Sequence, residues 1–127
     1  MQYVMVTDDG SWLMGVENSK KIYIFKFKQQ YELYQEPIQL NDSFKINSAY
    51  IANELLLVGK ENGKLYAYKF KESQYLFDQT LVDVRLPISS LSSTEDNSKI
   101  VLGLSKSSYV LVRKGDSFSV LQIITVS

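Results

Sequence analysis

Leu56-Leu57-Val58-Gly59-Lys60-Glu61-Asn62 is an aliphatic run that ends on a small residue and a polar turn, and the chain writes it three times. Trp12-Leu13-Met14-Gly15-Val16-Glu17-Asn18 precedes it and Ile100-Val101-Leu102-Gly103-Leu104-Ser105-Lys106 follows, so that Gly15, Gly59 and Gly103 stand 44 residues apart. A fixed period of this size means that one supersecondary unit is made repeatedly and that neighbouring units share a core. Other letters keep pace within a residue or two. Ile46-Asn47-Ser48 answers Ile88-Ser89-Ser90, Tyr31 and Tyr75 are 44 apart, and so are Gln35 and Gln79.

Outward from the glycines, apolar residues alternate or run in short blocks rich in Val, Ile, Leu, Tyr and Phe. Asn, Asp, Gly and Ser clusters break them about every 8 to 12 residues, the pattern of many short antiparallel strands. Asn62-Gly63 is a strong hairpin signal, since a type I′ turn needs positive φ at both central residues. Asn18-Ser19 and Lys106-Ser107 hold the matching places, and Asp9-Gly10, Asn53 and Asp96-Asn97 mark the preceding turns. The spacing predicts strands over 2–7, 11–17, 21–28 and 31–39, then 45–51, 54–60, 64–71 and 74–82, then 88–93, 99–104, 108–113 and 117–125. The fold class is therefore all-β, with three four-stranded antiparallel meanders over 1–40, 41–83 and 84–127. Each is the profile of one β-propeller blade, and together they make one partial propeller domain.

Composition narrows the chemistry. The 127 residues carry 14 basic and 14 acidic side chains, which argues against a nucleic-acid binder built on a dominant positive field. The absence of cysteine removes disulfides and thiolate chemistry, and the absence of histidine removes the commonest base and zinc ligand. The longest aliphatic run, Leu55 to Val58, falls far short of the ~20 apolar residues that a membrane span needs. With no basic-then-apolar leader at the start, the sequence reads as cytoplasmic.

The stretch Ile88 to Arg113 resembles a degenerate WD-repeat β-propeller: strand, polar turn with an acidic residue, aliphatic strand with a small residue, hairpin, strand. The likeness covers nearly the whole chain, three times over. It departs from the family where Phe25-Lys26, Tyr68-Lys69 and Val112-Arg113 replace the Trp-Asp pair, and no Gly-His pair exists. The ordering tetrad of regular blades cannot form, so packing at the aromatic position has to hold the blades. Closed propellers have roughly 4–8 blades. Three are too few, and the expectation is completion by further blades of the same polypeptide or by another chain.

Lys26 and Lys28, Lys69 and Lys71, and Arg113 and Lys114 fall at matching places in the three units. They would form a basic arc for an acidic protein partner or a phosphoinositide headgroup. The bland reading is lysine at strand ends, which discourages edge pairing. Tyr31, Tyr34, Tyr75 and Phe77 lie on the outermost strands and are candidate exposed aromatics for partner binding, with outer-strand packing as the alternative. Asp8-Asp9, Glu17, Glu61, Asp83, Glu95-Asp96 and Asp116 scatter over turns without a ligand spacing, so no catalytic residue, metal or cofactor is assigned. The expected function is a non-catalytic protein–protein interaction scaffold, of the kind the resemblance implies in trafficking or ciliary assemblies. The alternative is a propeller enzyme of the lactonase type, for which carboxylates converging on a central channel would be the sign.

Overall fold

The computed structural model describes residues 3–52 and 54–125, which hold thirteen strands and no helix. Residue 2 of the first expected strand and the turn residue Asn53 lie outside the described residues. Sheet 1 runs β1 (Tyr3–Val6), β2 (Trp12–Glu17), β3 (Lys21–Phe27) and β4 (Tyr31–Leu33), with β5 (Ile38–Gln39) also pairing to β3. Sheet 2 is β6 (Ile46–Ala52), β7 (Leu55–Lys60), β8 (Lys64–Lys71) and β9 (Gln74–Asp83). Sheet 3 is β10 (Ser90–Ser93), β11 (Lys99–Gly103), β12 (Ser107–Lys114) and β13 (Ser117–Thr125). Every pairing is antiparallel between strands of one sheet, as the meander pattern predicts. The fourth strand of sheet 1 differs from expectation because it breaks at Tyr34–Pro37. Proline offers no N–H to the ladder; Tyr34 still bonds the Ile24 carbonyl of β3 through its N–H, while its hydroxyl and the Gln35 side chain reach sheet 2.

The sheets stack in chain order, with β1, β6 and β10 as neighbouring inner strands. Sheet 2 is apolar on both faces, so its central strand β7 is buried along its whole length. Leu56, Val58 and Tyr68 pack against Met14, Val16, Ile22 and Ile24 of sheet 1. Leu55, Leu57, Leu65 and Ala67 pack against Ile100, Leu102 and Leu111 of sheet 3. There are thus two seams, each with its own core.

Gly59 and Gly103 do one job. They pair with Ser48 and Ser90, and a Cβ at either would collide with that serine's hydroxyl. Gly15 does not share it. Val16, paired with Ile22, occupies the place that Gly59, paired with Leu65, holds in sheet 2, and Val16 is the residue in the seam core. The first interval is therefore 43 residues, and Gly15 faces the other way, because a one-residue slip flips a strand side chain to the opposite face. The turn at Asn62-Gly63 also departs from expectation. Only Gly63 has positive φ, at 96°, and a Cβ there would strike the backbone of Arg85 and Leu86. The paired left-handed residues of a type I′ turn occur instead at Asn18-Ser19 and Glu72-Ser73.

Candidate functional site

The turns that leave the three inner strands meet at one end of the stack. Two share a sequence device, Thr7-Asp8-Asp9-Gly10-Ser11 and Thr94-Glu95-Asp96-Asn97-Ser98. Asp9 accepts from the Ser11 N–H at 2.9 Å, the Ser11 hydroxyl at 2.7 Å and the Thr7 hydroxyl at 2.8 Å. Asp96 accepts from the Ser98 N–H at 3.0 Å and the Thr94 hydroxyl at 2.9 Å. Gly10 and Asn97 take the left-handed conformation that closes each turn. These bonds, led by the serine N–H, hold both carboxyls at about 2.

Locking Asp9 and Asp96 into the turns leaves the preceding acids, Asp8 and Glu95, at equivalent positions beside a common cavity. Its volume is about 570 Å³, and Glu54 from the corresponding turn of sheet 2 also lines it. The hydroxyls of Thr7, Ser11 and Thr94 stand around it, with Trp12 and Ile51 as apolar wall. No described hydrogen bond or ion pair engages the side-chain carboxyl of Asp8, Glu54 or Glu95; the Glu54 backbone carbonyl accepts from the Phe70 N–H at 3.1 Å. Asp8 and Glu95, two of the carboxylates that looked scattered over turns, thus line one cavity with Glu54, because the stacking brings turns over 40 residues apart to one rim. The readable signal was the repeated Thr-acid-Asp triplet. Among the described residues, no three acids lie close enough to hold a metal ion.

The opposite end of the first seam holds a second polar group that the sequence reading did not single out. Lys60, fully buried, places its ammonium 2.7 Å from Asp42 and 5.6 Å from the centre of the Tyr66 ring. The Tyr66 hydroxyl donates to Asp42 at 3.3 Å. Burial pushes the Asp42 carboxyl up, but the Lys60 bond, the Phe44 N–H and the Tyr66 hydroxyl outweigh it and leave the group below its ordinary value. Burial, and then the Asp42 charge, push the Tyr66 hydroxyl up. This group fastens the connection between sheets 1 and 2, a structural role.

The basic residues are placed as follows. Lys26 pairs with Trp12 and Lys69 with Leu55, so these two are equivalent, and Lys28, Lys71 and Lys114 lie at the matching strand ends. Arg113 is not in phase with them. Its register partner is Phe118, which places it with Phe70 on the face turned to the preceding sheet. Lys26 lies over the rings of Trp12 and Tyr34, and Lys69 and Lys71 share Asp78 at 3.5 and 3.7 Å. Of the outer-strand aromatics, Phe77 is 56% exposed and Tyr31 37%. Tyr75 is 2% exposed, a correction to the expected exposure: Trp12 and Tyr34 reach across from sheet 1, and Trp12 and Phe70 pack on its ring. Tyr34 is half-buried in the same cluster and donates to the Ser73 carbonyl at 2.6 Å.

The arrangement matches solved propellers. One is a protein from Bacteroides uniformis described provisionally as a 6-phosphogluconolactonase, with TM-score 0.73 and 11% identity over 98% of this chain and 40% of that one. Another is the periplasmic gluconolactonase of Pseudomonas aeruginosa, with TM-score 0.72 and 14% identity over 98% of this chain and 39% of that one. The three sheets are propeller blades. The chain spans about two-fifths of the length of these structures. No family model matches the sequence, and no curated protein matches it significantly. The expectation of an interaction scaffold is corrected by these likenesses. The solved propellers in question are described as lactonases, the type that the sequence leaves as its alternative. No described helix is long and apolar enough to cross a membrane.

Proposed function

We propose that these blades contribute to a propeller hydrolase whose substrate is a cyclic sugar ester, a lactone, bound in the cavity where the inner turns meet. The convergence of Asp8, Glu54 and Glu95 from three blades on one cavity carries this reading, and the lactonase descriptions of the structural neighbours support it. Ester hydrolysis needs a base to activate water, and a carboxylate free of structural bonds can serve. The base takes a proton from water and the hydroxide adds to the lactone carbonyl. The ring C–O bond then breaks, and the ring oxygen recovers the proton to give the open hydroxy acid. The turn hydroxyls suit the hydroxyl-rich edge of a sugar, and the Trp12 ring suits its apolar face.

The test is proton release from glucono-δ-lactone in a pH-stat, measured against spontaneous opening. A rate above background should fall by about 100-fold in the Asp8→Asn/Glu54→Gln/Glu95→Gln protein, the usual size of a lost general base. Trp12 is the single tryptophan, so its fluorescence should report lactone binding in both proteins. A rate equal to background, or one indifferent to the triple substitution, overturns the proposal.

A further inference from the structure

The two seams share a register, and this exposes a difference at their outer ends. In the first seam, Trp12 on sheet 1 meets the paired Phe70 and Tyr75 of sheet 2, with ring centres 5.7 and 5.5 Å away. In the second, the equivalent residues are Leu55 on sheet 2 and the paired Arg113 and Phe118 on sheet 3. A leucine replaces the indole and a guanidinium replaces a ring. The space that rings fill in the first seam becomes a cleft of about 90 Å³ in the second. Its wall is apolar, from Leu55, Leu81 and Phe118, and its mouth carries Lys69, Arg113 and Asp78.

The mouth is built rather than loose. Gln79 bonds the Asp116 carbonyl across the seam at 2.7 Å and fixes the spacing of the two sheets. Arg113 donates through Nε to the Gly115 carbonyl at 3.0 Å, which holds its plane and leaves the two terminal nitrogens without a described partner. Lys69 and Lys71 share the single carboxylate of Asp78, at ion-pair distances too long for close contact. Lys69, Lys71 and Arg113 against Asp78 and Asp116 leave one positive charge in excess around the cleft.

We propose that this cleft binds a short-chain carboxylate, with the aliphatic tail against Leu55, Leu81 and Phe118 and the carboxylate on Arg113 and Lys69. A guanidinium fork matches a carboxylate in geometry as well as charge. The volume holds about three water-sized groups, which sets the tail at the size of propionate or butyrate. The site shares no lining residue with the inner cavity, so it stands independently of the hydrolase reading.

The test is an NMR titration of the leucine methyls with sodium butyrate, with n-butanol and inorganic phosphate as separate arms. Butyrate should shift Leu55 and Leu81 saturably, at least 10-fold more tightly than butanol, which lacks the charge, or phosphate, which lacks the tail. Arg113→Gln should weaken butyrate binding at least 10-fold, and Leu55→Trp, which installs the ring of the first seam, should abolish it. Arg113 is exposed, so that variant decides the matter even where the filled variant fails to fold. Absence of saturation, equal binding of butanol or phosphate, or an unchanged affinity in Arg113→Gln overturns the proposal.

Discussion

The first seam, between sheets 1 and 2, holds a knot of rings around the buried Tyr75. Trp12, Tyr34, Phe70 and Tyr75 lie with centres 4.8 to 6.1 Å apart, mostly edge to face. The second seam, between sheets 2 and 3, is aliphatic at its core and open at its outer end. Hairpin order and a reaching glutamine recur in both: Gln35 bonds the Tyr75 backbone of the next sheet, and Gln79 the carbonyl of Asp116, two residues before the counterpart of Tyr75. What differs is side-chain volume at a few register positions. Two seams of one stack can thus be built in two ways, by filling the outer end with rings or by leaving room in it.

The largest expected effect tests that difference directly. Tyr75 and Phe118 hold one register position in successive blades. Tyr75→Ala should cost about 4 kcal/mol, because it opens a void under Trp12 and Phe70 in a close-packed seam. Phe118→Ala should cost about 1 kcal/mol, because Phe118 is half-buried and already borders a cleft. Chemical denaturation of the two variants measures both, and equal losses would show that the seams are packed alike.

A second asymmetry is the buried ion pair, which the first seam has and the second lacks among its described residues. Asp42→Ala strands the fully buried Lys60 ammonium and should cost about 3 kcal/mol, whereas Lys60→Met should change stability little. The pH dependence has a definite sign. Because Asp42 is held below its ordinary value when folded, its contribution is complete above about pH 4 and disappears as the pH falls through the lowered value. Melting curves taken from pH 7 downward should show this acid loss in the native chain and a smaller one in Lys60→Met. A loss of equal size in both would place the acid sensitivity elsewhere.

The strands were legible because local alternation decides them. Ile22 and Ile24 against Tyr23 and Phe25, or the all-apolar Leu55 to Val58, need no distant information. The glycines at 59 and 103 were legible for the same reason, while Gly15 misled because spacing alone cannot reveal a register that slips by one residue. The inner cavity was not legible, since Asp8, Glu54 and Glu95 are separated by about one period and meet only once the sheets stack. The burial of Tyr75 was hidden likewise. It is decided by Trp12, 63 residues away, and by nothing in the alternation of its own strand.

Tyr75 also supplies the smallest effect. Its hydroxyl is the buried side-chain polar atom that lacks a hydrogen-bond partner among the described residues, and burial pushes its ionisation well up. A buried donor without an acceptor costs free energy, and the folded chain accepts the cost here because the ring is needed under Trp12. Tyr75→Phe keeps the ring and removes the orphan, so it should leave stability unchanged or raise it by up to about 1 kcal/mol. Its counterpart in sheet 3 is already a phenylalanine, Phe118. If Tyr75→Phe instead destabilises the chain, the hydroxyl has a partner in solution, and the first seam is fastened by a polar contact as well as by its rings.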